Sequence, residues 1–319
     1  NFKINGSAYP STVTGDISAT WSHRDRLMQT IKPIVDTTSS SIGPEAGVTY
    51  SISLLRASDS AVLASATGIS GESYVLPYYG TLDVKLELQS VRSGINSFQK
   101  HSHAFYLDNP ARTITLLHFN GSNSSTTFTD SVSPGKTFTA VGNARLTTTN
   151  PKFGTACLTL DGTGDWIQTP GSIDFVLGAG DFTIEAFINT TDNNFTLVDF
   201  YGSNGWQVFV TSTGKLSFYA GMDQVAVGVT SVNTGVWVHV AVTRQGSTLN
   251  LWVNGVQDAS VTNSTNMDTQ NMYLALGAQV SNRNAAYDMS GLIDEFRLRR
   301  GQAVYTSAFT PPSSELAVL

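Results

Sequence analysis

Between Lys152 and Ile188 the chain reads K-F-G-T-A-C-L-T-L-D-G-T-G-D-W-I-Q-T-P-G-S-I-D-F-V-L-G-A-G-D-F-T-I-E-A-F-I, and this stretch limits the fold more than any other. Leu158 and Leu160 alternate with Cys157 and Thr159, the two-residue period of a strand with one buried face. Asp161-Gly162-Thr163-Gly164-Asp165 then supplies a tight reversal, because glycine takes positive φ at no steric cost. Trp166 and Ile167 restart a strand, Pro170-Gly171 breaks it, and Phe182 to Ile188 runs as a third. The same rhythm returns in Trp206–Val210, Leu216–Tyr219, Val236–Arg244, Thr248–Val253, Tyr273–Gly277 and Gly291–Leu298. Asn254-Gly255 between two such runs is the signature of a type I′ hairpin. No helical period is sustained anywhere, so the chain is predicted to be all-β.

With 319 residues the chain is long enough for two domains with their own cores. Only 13% of residues are charged, and 40% are hydrophobic, a balance that suits short strands joined by Ser-, Thr-, Asn- and Gly-rich turns and argues against disorder. A net charge of −6 argues against a nucleic-acid partner, since phosphate binding needs a clustered basic surface. No run is long and apolar enough for a membrane span, so membrane insertion is not expected. The single cysteine, Cys157, rules out an internal disulfide and reads as a packing residue.

From Asp16 to Asp108 the pattern is that of a small sandwich. Ile17, Ala19 and Trp21 alternate, as do Tyr50, Ile52 and Leu54. Val84, Leu86 and Leu88 share one face while Lys85, Glu87 and Gln89 take the other. About seven short strands at hairpin spacing predict an immunoglobulin-like sandwich over residues 16–108. Residues 1–15 read as the N-terminal linker of a longer protein. Residues 109–319, entered through Asp108-Asn109-Pro110, form the second domain. His101 and His103 share a strand face and could reach one metal, although a solvent-facing pair is the plainer reading.

Trp21 stands where a fibronectin type III module keeps its core tryptophan, although the tyrosine usual on that module's penultimate strand is missing. W-S-H-R-D-R-L-M-Q-T (Trp21–Thr30) and I-G-P-E-A-G-V-T-Y (Ile42–Tyr50) resemble the fibronectin-like modules of bacteriophage tail-tip and tail-fibre proteins. In the second domain L-T-L-D-G-T-G-D-W-I, D-F-T-I-E-A-F-I, G-W-Q-V-F-V, G-V-W-V-H-V-A-V-T-R, L-N-L-W-V-N-G-V and G-L-I-D-E-F-R-L follow one another as in the laminin G-like, concanavalin A-like jelly rolls. The tail R-R-G-Q-A-V-Y-T-S-A-F-T-P-P is similar to the version in phage and bacterial surface proteins. The resemblance implies a jelly-roll sandwich and leaves the function open, since this fold hosts lectins, hydrolases and spacers alike.

It also implies a calcium ion at one rim, and such a cation collects roughly six to eight oxygens, which turns supply. By residue match the ligands are Asp161, Asp165 and Asp294, with Asp130 as a fourth. Against this, Asp161 can cap its own turn, and Asp294 can pair with Arg244 or Arg297. Hydrolases on this sandwich carry acids alternating along one strand, so that both reach the cleft. Glu185 has Ile184 and Ala186 beside it, and Asp294-Glu295 are adjacent and so predicted to face opposite ways; a non-catalytic protein is expected.

Saccharide recognition needs rings for sugar C–H groups and amides for hydroxyls. Two loops have that mixture: Asp192–Trp206, with Asn193, Asn194, Tyr201 and Asn204, and Gln279–Tyr287, with Asn282, Arg283, Asn284 and Tyr287. Trp206, Trp237 and Trp252 read instead as core. Together these features predict a phage tail-fibre or tail-tip fragment that adsorbs to host lipopolysaccharide or capsule from the virion. Its other partners would be tail proteins and, as in tail fibres generally, two further copies in a trimer. A ligand-free spacer or trimer-forming module and a polysaccharide depolymerase are the alternatives.

Overall fold

The structure, a computed structural model, describes residues 2–22, 46–76, 78–268 and 273–319. Most of Trp21–Thr30, the charged cluster His23–Arg26 and the start of Ile42–Tyr50 therefore lie outside the described residues. The chain divides into two compact units, Asn1–Pro110 and Ala111–Leu319. Among the described residues there is no α-helix, only 3-10 turns at Ile173–Phe175 and Ala285–Tyr287.

The first unit holds β1 (Lys3–Ile4), β2 (Thr12–Thr14), β3 (Ile17–Thr20), β4 (Val48–Arg56), β5 (Val62–Ile69), β6 (Ser73–Leu76), β7 (Gly80–Arg92) and β8 (Ile95–Asn109). They form a three-stranded sheet, β1-β3-β6, and a five-stranded sheet, β2-β8-β7-β4-β5. One core lies between them, built from the alternating residues seen in the sequence: Ile17, Ala19, Trp21, Ile52, Leu54, Val84, Leu86 and Phe105 are all buried. Trp21 packs on Tyr50 with ring centroids 5.2 Å apart. His101 and His103 do share a face, but not an open one. Phe2 lies 4.5 Å from the His101 ring, and His103 Nε2 bonds the Pro10 carbonyl at 2.7 Å. The N-terminal segment covers the pair, which corrects the solvent-facing expectation.

The second unit holds β9 (Arg112–Leu117), β10 (Thr139–Val141), β11 (Arg145–Thr147), β12 (Cys157–Asp161), β13 (Trp166–Pro170), β14 (Phe182–Asn189), β15 (Phe195–Phe200), β16 (Trp206–Val210), β17 (Lys215–Ala220), β18 (Asp223–Ser231), β19 (Val238–Gln245), β20 (Thr248–Val253), β21 (Val256–Thr262), β22 (Tyr273–Leu276) and β23 (Ser290–Arg300). A seven-stranded sheet, β10-β13-β22-β15-β16-β17-β18, stacks on an eight-stranded one, β11-β12-β23-β14-β19-β20-β21, with β9 paired to β23. The interior is continuous and apolar, and includes Leu158, Ile184, Ile188, Phe200, Trp206, Phe218, Val240, Leu251 and Phe296. This second unit is a concanavalin A-like jelly-roll sandwich. Trp206 and Trp252 are fully buried, whereas Trp237 stays half-exposed. The β20–β21 turn has φ of 48° at Asn254 and 79° at Gly255, the two positive angles a type I′ turn demands.

The two outer faces of this sandwich meet different fates. Residues 301–319 run back over the eight-stranded sheet without forming strands of their own. Thr183 Oγ1 donates to the Gln302 carbonyl and accepts from Val304 N, Tyr305 stacks on Phe309 with centroids 3.6 Å apart, and Phe309 N donates to the Gly255 carbonyl. Beneath this strap Glu185 is not alone, as its apolar neighbours in sequence suggest. It accepts from Arg297 (2.9 and 2.6 Å), His239 Nε2 (3.0 Å) and the Tyr305 hydroxyl (2.7 Å). Burial alone would raise its pKa, but the His239 hydrogen bond and the Arg297 charge outweigh that and hold it below the usual glutamate value. Among the described residues, none forms such a cover over the outer face of the seven-stranded sheet.

Candidate functional site

On that open face Gln207 and Phe209 of β16, Tyr219 of β17 and Gln224 of β18 line a cleft of about 490 Å³. Strand alternation puts them there: Trp206, Val208 and Val210 enter the core, so the residues between them face outward. Asn194, Tyr201, Thr211, Ser212, Gln279, Asn282, Asn284 and Tyr287 complete the walls. The volume falls within the roughly 300–1,000 Å³ of small-molecule sites.

The aromatic rings form a connected chain. Tyr201 meets Tyr219 edge-on at 6.3 Å, Tyr219 meets Phe209 at 6.0 Å, and Phe209 meets Tyr287 at 5.2 Å. Phe209 is only 7% exposed and serves as the floor. Burial raises the Tyr219 pKa, with the neighbouring phenols of Tyr287 and Tyr201 adding to the effect, so this hydroxyl remains a neutral donor and acceptor across the physiological range. Gln207 gives its amide hydrogens to Thr196 Oγ1 and Asp199 Oδ1.

Carboxylates brace the loop that carries Asn282, Asn284 and Tyr287 from both ends. Asp199, fully buried, accepts through Oδ2 from Val280 N (2.7 Å), Ser281 N (2.8 Å) and Ser281 Oγ (2.8 Å). At the far end Asp288 Oδ2 accepts from Gly164 N (2.9 Å) and Arg283 (2.6 Å). Between them Asn284 Oδ1 accepts from Ala286 N and caps the 3-10 turn, which sets Tyr287 against Phe209.

Five of the eight residues expected to meet a saccharide therefore line one cleft: Asn194, Tyr201, Asn282, Asn284 and Tyr287. Three do not. Asn204 donates to Asp268, Asn193 N bonds Asp192, and the Arg283 guanidinium turns to Asp288 and lies 4.9 Å over the Trp166 ring. The strand residues Gln207, Phe209, Tyr219 and Gln224 and the buried Asp199 escaped the sequence reading. Period-two alternation marks both faces of a strand without saying which face stays open.

Of the four aspartates expected at a calcium ion, Asp161 and Asp165 share one turn, while Asp130 and Asp294 bond to other segments. Asp130 accepts from Leu116 N, Val132 N and Lys136 N. Asp294 accepts from Lys152 N and Phe153 N, and burial pushes it up to about 7. It pairs with neither arginine: Arg297 binds Glu185, and Arg244 binds the carbonyls of Gly178, Gly180 and Thr265. Nor do Asp294 and Glu295 simply alternate. Glu295 sits at φ 54° where the β14–β23 register shifts, and Ile293 and Phe296 both reach the core. Asp161 caps its own turn through Thr163 N. Asp165 accepts from Asp161 N through Oδ2, and burial raises its pKa. Its Oδ1, like Asp288 Oδ1, is buried without a partner.

Among the described residues, one group brings the ligand atoms of three metal-ligating side chains within 4.8 Å of one another: His118, Glu295 and Glu315. His118 Nδ1 pairs with buried Glu295 at 2.9 Å, Glu295 accepts from Leu316 N, and Asn120 holds Glu315. The group fastens the C-terminal strap as an ion pair. Cys157 is buried, and burial lifts its thiol to about 12, which leaves it a packing residue.

Residues 161–307 match the model of the concanavalin A-like lectin/glucanases superfamily. No curated protein matches. Among solved structures the chain is similar to domain 4 of AbnA, an extracellular arabinanase from Geobacillus stearothermophilus solved with arabinotriose. The two are 19% identical over 62% of this chain and 97% of that one, with a TM-score of 0.48. It is also similar to the binding domain of botulinum neurotoxin serotype D/C, 14% identical over 60% of this chain and 50% of that one, TM-score 0.46. A Trypanosoma rangeli sialidase is 13% identical over 71% and 42%, TM-score 0.42. These likenesses are of fold alone.

Proposed function

We propose that the cleft on the seven-stranded sheet binds a saccharide and leaves it intact. The single observation that carries this reading is the wall itself: a chain of aromatic rings set among carboxamides and hydroxyls, on the one sandwich face the C-terminal strap leaves open. Rings take up sugar C–H faces, and amides both donate to and accept from hydroxyls. Glycoside hydrolysis uses a pair of carboxylates across the scissile bond; the walls of this cleft offer amides and phenols in their place. The setting we propose is a bacteriophage tail fibre or tail tip that adsorbs to lipopolysaccharide or capsule on the host surface. Its support is the sequence resemblance of Trp21–Thr30, Ile42–Tyr50 and the Arg299–Pro312 tail. Screening the whole chain and its Tyr219→Ala variant on an array of bacterial surface glycans tests the reading. Signals that the variant loses are expected; no signal for either protein, or reducing ends released from a bound polymer, overturns it.

A calcium ion is proposed at the Asp161–Asp165 turn. The fit rests on the two orphaned carboxylate oxygens, Asp165 Oδ1 and Asp288 Oδ1, which a hard cation would satisfy together with turn carbonyls. Its contribution would be to neutralise buried charge where the turn meets the cleft loop. An assembly role has its own support: Val227 and Val229 on edge strand β18 are 43% and 76% exposed, and exposed apolar edges invite pairing with another chain. Sedimentation of the whole chain tests this, with a trimer expected and a monomer at all concentrations against it.

A further inference from the structure

We infer that the cleft selects uncharged saccharides and rejects acidic ones. This deepens the saccharide reading and rests on it.

Among the described residues the lining consists of six carboxamides, five hydroxyls and Phe209, with no Lys, Arg, His, Asp or Glu. A sugar carboxylate, sulfate or phosphate entering this space would leave water and meet no cation. Burying an unpaired charge is far costlier than burying a hydroxyl that finds an amide. Three further features act in the same direction. Asp199 lies fully buried beneath the wall and is bonded to the lining residue Gln207. Its hydrogen bonds come from Tyr201 N, Gln207, Val280 N and Ser281; none comes from a cation, so its charge is felt at the floor. The nearest arginine of the cleft loop, Arg283, is neutralised by Asp288 at 2.6 Å and lies over Trp166. Next to Gln224 in the chain stands Asp223, another acid, and the whole chain carries −6, so long-range steering also disfavours polyanions.

Neutral sugars match the same wall. Asn282, Asn284 and Gln224 can each donate and accept, as vicinal hydroxyls require. Gln207 is the exception. With its amide hydrogens taken by Thr196 and Asp199, it offers only an acceptor, so the hydroxyl that meets it must donate.

Isothermal titration of the full chain against matched pairs tests the inference. The probes are lactose and α2,3-sialyllactose, and neutral hexasaccharides (malto-, cello- and manno-) beside oligogalacturonate and hyaluronan hexasaccharides. At least one neutral probe is expected to bind, with affinity that Tyr219→Ala weakens about tenfold. Acidic probes are expected to bind at least tenfold more weakly than neutral ones, and raising salt from 50 to about 300 mM is expected to change the neutral affinity less than twofold. Gln224→Lys, which puts a cation in the wall, should narrow the gap. An acidic probe that binds as tightly as the neutral ones and competes for the same cleft overturns the selectivity while leaving saccharide binding standing. If no probe of either class binds, saccharide binding itself fails, and the selectivity with it.

Discussion

Asp199→Asn removes the charge that holds the cleft loop to the sheet. In the native protein one carboxylate oxygen accepts three hydrogen bonds, at 2.7, 2.8 and 2.8 Å, from Val280 and Ser281. A hydrogen bond to a charged acceptor contributes about 1.5–3 kcal/mol. The amide of the variant must turn either its NH₂ group toward these donors or its oxygen away from Gln207. Ser281 is exposed and Val280 half-buried, so water recovers part of the loss, and about 2–4 kcal/mol of local stability should disappear. Hydrogen exchange reads this directly. Amides of residues 280–288 should exchange about 30- to 1,000-fold faster in the variant, while those of β7 in the other unit stay unchanged. Saccharide affinity should fall with them, because Asn282, Asn284 and Tyr287 ride on this loop. Exchange within threefold of wild type across residues 280–288 would refute the idea that Asp199 anchors it.

The other predictions concern the strap and the turn. Glu185→Ala leaves Arg297 and His239 buried without their acceptor and should cost about 3–5 kcal/mol in urea unfolding; a loss under 1 kcal/mol would contradict the network. Hydrogen bonding to Glu295 raises the His118 pKa above its ordinary 6.5. Its stabilising effect is therefore complete below about pH 6.5 and fades as pH climbs through the raised value. Melting temperature should decline over that window in wild type and decline less steeply in His118→Gln, where Asp294, pushed up to about 7, still titrates. Adding calcium after chelation should raise the melting temperature, by an amount equivalent to about 2.7 kcal/mol at a hundredfold excess over Kd, and Asp165→Asn/Asp288→Asn should abolish the rise. Gly255→Ala places a Cβ 1.8 Å from the Phe309 carbonyl at a φ of 79°, so protease should cut the C-terminal strap faster in that variant.

The strands that bury one regular face were plain in the sequence. Trp206–Val210, Lys215–Ala220 and Thr248–Val253 alternate as the observed elements do. Strand β18 was not, because its pattern is inverted: Ala226 and Gly228 turn inward and Val227 and Val229 outward. The inward glycine admits Asp258, whose carboxylate accepts from Val229 N and Thr230 N. Polar aromatic loops pointed to Tyr201, Asn282 and Tyr287. The floor residues Phe209 and Tyr219 could not be told from core, since which sheet face stays open depends on the strap, and the strap binds through side chains that leave no period. Asp199 and Asp288 gave no signal either, because their partners lie on distant segments and a buried carboxylate is recognised only by what it bonds.

The most direct test is a crystal structure of the full chain soaked with the tightest neutral oligosaccharide from the titrations. Electron density for the sugar is expected over Phe209 and Tyr219, within hydrogen-bond reach of Gln207 and Asn282. A sugar seated anywhere else on the sandwich, with this cleft empty, would contradict the assignment of the site.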